Sequence, residues 1–240
     1  MTRAALASDT AMVMAAGLGK RMRPLTATRP KPLVQVAGKA LIDHSLDRLA
    51  EAGVKRAVVN VHYLAEALEA HLAHYPKLDI VVSDERELLL ETGGGMVKAL
   101  PHLPDPFFCV NSDNIWLDGP VNAFAELSRA WDPEKMDALL LLVRHPAAGN
   151  YAGLGDFCLD PLGRVSRRKP SRIAPYVFTG IQLVSHRLLR DAPEGAFSTN
   201  LFWTRAIAEG RLYGCVHTGQ WFEVGEPHAI APTEAALSGG

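Results

Sequence analysis

Apolar residues fall along the first half of the chain in two alternating rhythms. Strand-length runs occur at Ala11-Met12-Val13-Met14-Ala15-Ala16, Ala57-Val58-Val59-Asn60-Val61, Leu78–Ser83 and Phe107–Val110. Between them come stretches of helical spacing. Leu41–Ala52 sets Leu41, Leu46, Leu49 and Ala52 on one face, and Gly53 ends it as a C-cap glycine would. Leu64–Leu72 and a segment opening at Gly95–Leu100 are the next expected helices. Such alternation predicts βαβ units around a parallel sheet. Beyond Asp113 the rhythm changes. A helix is expected over Val121–Trp131, a strongly apolar strand over Ala138–Val143, and a hairpin within Asp156–Arg167 around the turn Asp160-Pro161-Leu162-Gly163. A strand at Tyr176–Val184, a helix at Asn200–Glu209, strands at Tyr213–Val216 and Trp221–Val224, and a closing helix at Pro227–Leu237 complete the pattern. The expected organisation is one domain over residues 1–240: a loose leader (1–10), a nucleotide-binding half (about 11–115) and a half built for another ligand (about 116–238).

Composition narrows the function classes. With 48% hydrophobic and 21% charged residues, the chain is neither disordered, collagenous nor a coiled coil. No run approaches the ~18 apolar residues of a membrane span, and Asp9 breaks the apolar stretch after Arg3, so neither a membrane segment nor a signal peptide is expected. Cys109, Cys158 and Cys215 lie far apart with no Cys-x-x-Cys pair, which suits reduced thiols in a cytoplasmic protein. A net charge of −1 speaks against a nucleic-acid binder. His71 and His74 read as surface residues of an amphipathic helix.

The positive charge is concentrated. After the first apolar run comes Gly17-Leu18-Gly19-Lys20-Arg21-Met22-Arg23-Pro24-Leu25-Thr26, and then Arg29-Pro30-Lys31-Pro32-Leu33. Glycines let a backbone approach a phosphate chain and aim N–H groups at it. Five cations crowded on one loop repel each other unless a polyanion sits among them. A Walker A loop is excluded, because Arg21 follows Lys20 where Ser or Thr is required. A dinucleotide fingerprint is excluded too, because Met22 stands where its third glycine belongs. Asp113 follows an apolar strand and so falls at a carboxyl edge, where α/β proteins bind ligands.

The pattern Gly17-x-Gly19-x-Arg21-Met22-x-Pro24-Leu25-Thr26 with Lys31-Pro32 resembles the signature of the sugar-1-phosphate nucleotidyltransferases. Lys20 stands where that family usually has Thr or Ser. The resemblance runs from Met12 to about Leu237. Leu90-Glu91-Thr92-Gly93-Gly94-Gly95 resembles the family's second glycine loop, Val110-Asn111-Ser112-Asp113 its metal-aspartate strand end, and Trp221-Phe222-Glu223-Val224-Gly225 its closing Trp-x-Asp-Val-Gly motif. It implies a three-layer α/β/α sandwich with a mainly parallel, Rossmann-like mixed sheet, of the nucleotide-diphospho-sugar transferase type. It also implies a chain without the left-handed β-helix that gives some relatives a second activity.

By that resemblance the substrates are a nucleoside triphosphate and a sugar-1-phosphate, and the cofactor is Mg²⁺. Arg21, Lys31 and Asp113 are the implied catalytic residues. Ala15, Ala16, Gly17, Gly19, Lys20, Arg21 and Gly93 would bind nucleotide, and Glu85 either accepts from a base N–H or is an exposed loop acid. Glu91, Thr92, Gly155, Asp156, Lys169, Thr179 and Gly180 would bind sugar phosphate. Asp113 and Glu223 would hold the metal, Glu223 standing where the family has Asp. Trp203 is expected in the core. Within the family the likeness is greatest to enzymes joining UTP to N-acetylmuramate α-1-phosphate, with mannose- or heptose-1-phosphate guanylyltransferases next. A catalytically silent, nucleotide-sugar-sensing subunit is the alternative from another class. The expected state is a monomer or weak homodimer, bound to neither nucleic acid nor membrane.

Overall fold

The computed structural model describes residues 5–239. Its strands are β1 (Thr10–Met14), β2 (Gln35–Val36), β3 (Lys39–Ala40), β4 (Arg56–Val61), β5 (Asp79–Asp84), β6 (Phe107–Asn111), β7 (Asn114–Leu117), β8 (Ala138–Arg144), β9 (Ala148–Gly149), β10 (Phe157–Leu159), β11 (Val165–Arg167), β12 (Tyr176–Val184), β13 (Leu212–Val216) and β14 (Gln220–Glu223). The α-helices are α1 (Leu41–Ala52), α2 (Ala65–Leu72), α3 (Glu91–Ala99), α4 (Ala123–Ala130), α5 (Asn200–Ala208) and α6 (Ile230–Ser238).

The main sheet is mixed and mostly parallel. β1 lies between β4 and β6 and runs parallel to both, with Val13 opposite Val59 on one side and Val110 on the other. β5 extends the parallel set beyond β4. β12 runs antiparallel between β6 and β8, and β13 returns parallel to β8. The hairpin β10–β11 attaches through Phe157 to the start of β12. A smaller sheet, β7-β14-β9, stands beside the main one.

Strand alternation assigns each apolar side chain to one of two helical layers. Ala11 and Val13 of β1 join Val59, Phe108 and Leu141 in the cluster that covers α1, α2 and α4. Met12, Val58, Cys109 and Leu140 point the other way, into the cluster under α3 and α5. A strand buried on both faces must be apolar throughout, which is why these runs read as continuous rather than alternating. Gly53 does cap α1, with φ 106°.

Two expectations change. Of the loose leader, residues 1–4 lie outside the described residues, but Leu6 and Ala7 pack on the core, the Ala7 N–H donates to Ser128 Oγ at 3.0 Å, and Thr10 already belongs to β1. The second glycine loop is largely helix: α3 opens at Glu91, so Gly93, Gly94 and Gly95 are helical and buried. Packing explains the glycines. A Cβ at Gly93 would sit 2.5 Å from Phe197 Cε2, one at Gly94 2.5 Å from the Gly195 carbonyl oxygen, and one at Gly95 2.8 Å from Glu85 Oε1.

Candidate active site

The carboxyl ends of β1, β4, β5 and β6 all face one side, and the loops leaving them build a cleft there. At the end of β1 the Ala15 and Ala16 N–H groups both donate to Asn60 Oδ1, at 2.6 and 3.3 Å. Asn60 Nδ2 in turn donates to Glu85 Oε1 at 2.8 Å, and the Leu90 N–H donates to Glu85 Oε2 at 3.0 Å. This buried relay sets the angle at which the loop leaves the sheet. Gly17 then has nothing within 4 Å of where a Cβ would stand, so its backbone faces open space. Gly19 adopts φ +60°, and a Cβ there would lie 2.9 Å from Lys31 Cβ. The Thr26 hydroxyl donates to the Gly19 carbonyl at 2.8 Å and closes the loop.

Lys20–Met22 forms one 3₁₀ turn. Met22 anchors it by packing with Val34, Val36, Leu41, Ile115 and Val224, which leaves Lys20 and Arg21 at the rim of the cleft. Arg21 is 62% exposed, with Nη1 3.8 Å from Glu223 Oε1 and 3.9 Å from Glu226 Oε1. Lys31, only 13% exposed, donates from Nζ to Asp113 Oδ2 at 2.7 Å. The Val224 N–H donates to the Asp113 carbonyl at 3.0 Å, tying β14 to the end of β6. Burial pushes the Glu223 carboxyl above its ordinary value. Asp113 and Asp156 push it the same way, against the pull of Arg21 and Lys31.

Two cavities open here. The first, about 580 Å³, is bordered by residues 14–21, Lys31, Asn60 and the start of α3. The second, about 480 Å³, is bordered by Gly155, Asp156, Gly180, Trp221, Glu223 and side chains of β10, β11 and α5. Arg21, Asn111 and Asp113 border both.

The structure brings most of the expected site residues to these cavities and moves others away. Ala15, Ala16, Gly17, Gly19, Lys20, Arg21, Lys31 and Asp113 border the first, and Gly155, Asp156, Gly180 and Glu223 the second. Glu85 is fully buried in the relay to Asn60 and Leu90, neither reaching a base nor standing exposed. Gly93 borders neither cavity, because Phe197 covers it. Glu91 and Thr92 line the first cavity, not the second, since α3 starts beside the glycine loop. Thr179 is buried, its hydroxyl donating to the Leu141 carbonyl at 2.8 Å. Lys169 is exposed and off both cavities, and the two arginines before it border the second. Trp203 is buried as expected, its Nε1 donating to Gln182 Oε1 at 3.1 Å, and it also walls the second cavity. Asn60 was not anticipated, although a lone amide in an apolar strand run is a signal that could have found it.

The family of nucleotidyl transferases matches residues 10–238, and the chain belongs to it. It is a nucleotidyltransferase with the nucleotide-diphospho-sugar transferase fold. Its sequence is 46% identical over 237 residues to the N-acetylmuramate alpha-1-phosphate uridylyltransferase of Caulobacter vibrioides, covering 97% of this chain and 98% of that one. The protein of the same name from Neisseria meningitidis serogroup B is 36% identical, covering 90% and 92%. A mannose-1-phosphate guanyltransferase of Neurospora crassa is more distant, 29% identical, with 61% of its length matched. Among solved structures, the inositol-1-phosphate CTP transferase from T. maritima superposes with a TM-score of 0.77 at 17% identity, covering 97% of this chain and 96% of that one. A UDP-glucose pyrophosphorylase complexed with UDP-glucose gives 0.78 at 12% identity, covering 97% and 99%. No helix among the described residues is long and apolar enough to cross a membrane.

Proposed function

We propose that this chain transfers the uridylyl group of UTP to N-acetylmuramate α-1-phosphate and releases pyrophosphate. The observation that carries the reading is the junction of the two cavities at Arg21, Asn111 and Asp113. Two polyanions held in adjoining chambers would meet where these side chains stand.

The sugar phosphate oxygen is ionised at neutral pH, so the chain needs no general base. That oxygen forms a bond to the α-phosphorus while the bond to the β-phosphate bridging oxygen breaks. The protein's task is alignment and charge neutralisation. The backbone of Gly17 to Arg21 cradles the triphosphate, since Gly17 leaves open space for it. Arg21 holds the departing β- and γ-phosphates. Lys31, fixed beside Asp113 and little exposed, addresses the α-phosphate. Gly155, Asp156 and Gly180 line the chamber for the sugar.

The residues present fit Mg²⁺. Asp113 and Glu223 are all-oxygen donors on one cavity, and the Glu223 carboxyl, raised first by burial and further by Asp113, gains from a cation placed between them. Among the described residues no His, Cys, Asp and Glu cage of three or more competes for a softer metal. One or two carboxylates with substrate phosphates is the usual Mg²⁺ arrangement. Bound there, the ion would supply charge neutralisation at the α-phosphate.

The test is a panel of UTP, CTP, GTP and ATP against N-acetylmuramate, N-acetylglucosamine and mannose α-1-phosphates with Mg²⁺, read as pyrophosphate release. UTP with N-acetylmuramate α-1-phosphate is expected to be fastest. Dominance of GTP with the mannose compound would replace the reading with guanylyl transfer. No turnover at all would favour the silent, sensing subunit.

A further inference from the structure

The cations of the second cavity are differently occupied. Arg21 faces Glu223 and Glu226. Arg168 spends its N–H groups on the protein, Nε donating to the Gly155 carbonyl at 3.1 Å and Nη1 to the Arg172 carbonyl at 3.3 Å and the Lys169 carbonyl at 3.5 Å. It holds the loops that frame the cavity. Arg167 is different. It ends β11, lies with its guanidinium 5.7 Å from the centre of the Phe157 ring, and makes no ion pair among the described residues. Its Nη2 alone is engaged, donating to the Asn200 carbonyl at 3.3 Å and the Thr204 hydroxyl at 3.4 Å. Among the described residues Nε and Nη1 have no protein acceptor, and the residue borders the cavity with Phe157 and Asn200. Its nearest acidic neighbour, Asp156, accepts from the Phe178 N–H at 2.9 Å and the Tyr151 hydroxyl at 3.3 Å.

An arginine set against a ring face and two neutral acceptors, with donors to spare at the border of a cavity, is prepared for a planar anion. The phosphate of the sugar substrate belongs at the other end, near Arg21 and Asp113. β11 is three strands from β6 along the sheet order, roughly 14 Å at the usual strand spacing. A neutral hexose offers a cation there only hydroxyl acceptors, which leave its charge uncompensated. It does suit a sugar that carries a second acid group away from its phosphate. A muramate is such a sugar, since its lactyl ether ends in a carboxylate.

We propose that Arg167 is a specificity-determining residue that pairs with the carboxylate of the sugar-1-phosphate. The inference rests on the reading of function above. Arg167 takes no part in the phosphoryl chemistry. It favours an acidic sugar over its neutral analogue through charge-assisted hydrogen bonds made in the second cavity.

The test compares kcat/KM for N-acetylmuramate α-1-phosphate and N-acetylglucosamine α-1-phosphate, which lacks the lactyl group, at saturating UTP. In Arg167→Gln the preference for the acidic sugar falls about ten- to hundredfold, through KM for that sugar. KM for UTP stays as in the parent, and the neutral sugar loses far less than the acidic one. Arg167→Lys keeps the charge without the fork and recovers part of the preference. An Arg167→Gln variant that loses both sugars equally, or neither, overturns the inference while the function stands. A parent that does not turn over N-acetylmuramate α-1-phosphate overturns the reading of function, and this inference with it.

Discussion

Gly17 and Gly19 are the same residue type two positions apart, yet they serve different ends. Gly19 is required by the fold, because its φ is +60° and Lys31 Cβ leaves no room for a methyl. Gly17 is not, since a methyl there meets nothing within 4 Å. Gly17→Ala should therefore leave thermal stability unchanged while raising KM for UTP, because the methyl enters space reserved for phosphate. Normal UTP affinity in Gly17→Ala would detach this loop from the triphosphate. The sequence offered both glycines as phosphate contacts and had no means to separate them, since the Lys31 approach is tertiary. Away from the cleft, Asp47 shows what charge does for folding. Burial works to raise its carboxyl pKa, but donation from Lys39, Lys77 and Tyr75 outweighs this and holds it at about 2. A depressed folded-state pKa stabilises above the unfolded value and is lost as pH falls through the folded one. Asp47→Asn should lose about 1–2 kcal/mol at neutral pH. In acid denaturation series the gap to the parent should close as pH falls from 3.8 to about 2.

At the scale of elements, periodicity located the helices and most strands of the main sheet, missed β2, β3, β7 and β9, and misplaced the start of α3. Three consecutive glycines read as a loop because glycine weakens isolated helices by about 1 kcal/mol per residue relative to alanine. Here tertiary packing overrides propensity: the segment at 195–197 presses on Gly93 and Gly94, and Glu85 on Gly95, so close that only glycine fits. This decides the sign of a substitution that otherwise stabilises. In an open helix Gly94→Ala would gain about 1 kcal/mol. Against a carbonyl oxygen 2.5 Å away, the methyl forces a backbone shift. Gly94→Ala is expected to destabilise by about 1–2 kcal/mol in denaturant titration. A more stable variant would mean the 195–197 segment gives way easily. Burial or loop direction likewise keeps Glu85, Thr179 and Lys169, assigned to ligands by resemblance or residue type, off the borders of both cavities.

Taken whole, the chain shows two chambers joined at Arg21, Asn111 and Asp113, around which side chains from both halves of the sequence gather. Arg21 and Lys31 come from the first, Glu223 from near the end, and the Val224–Asp113 hydrogen bond fastens the halves together. The motifs made this convergence legible without coordinates, because each was a strand end or a loop of fixed type. The cavity walls were not legible, since they depend on which side of β12 the hairpin β10–β11 attaches. Ligands spanning the junction should stabilise the whole molecule. At a hundredfold excess over Kd, UTP contributes about 2.7 kcal/mol. For a chain of this size that is a rise in Tm of roughly 5 °C. In the parent the rise should shrink on chelation of divalent ions. In Glu223→Gln it should lose most of that dependence, which thermal scans with and without chelator would show. An undiminished rise in chelator would place the metal site elsewhere.

The contact between Gly93 and Phe197 has a consequence for descent. The Gly93 and Gly94 N–H groups both donate to the Phe197 carbonyl, at 2.8 and 3.2 Å, while its ring fills the place of a Gly93 side chain. A lineage that acquires alanine at 93 meets both the ring, at 2.5 Å, and the Phe197 carbonyl oxygen, at 2.8 Å, and a smaller residue at 197 relieves only the first. One that shrinks 197 first opens a void, and the carbonyl oxygen still bars alanine at 93 from filling it. Side-chain exchange alone reaches no relaxed pair, so glycine at 93 is expected to persist whatever side chain stands at 197, 104 positions away in the sequence.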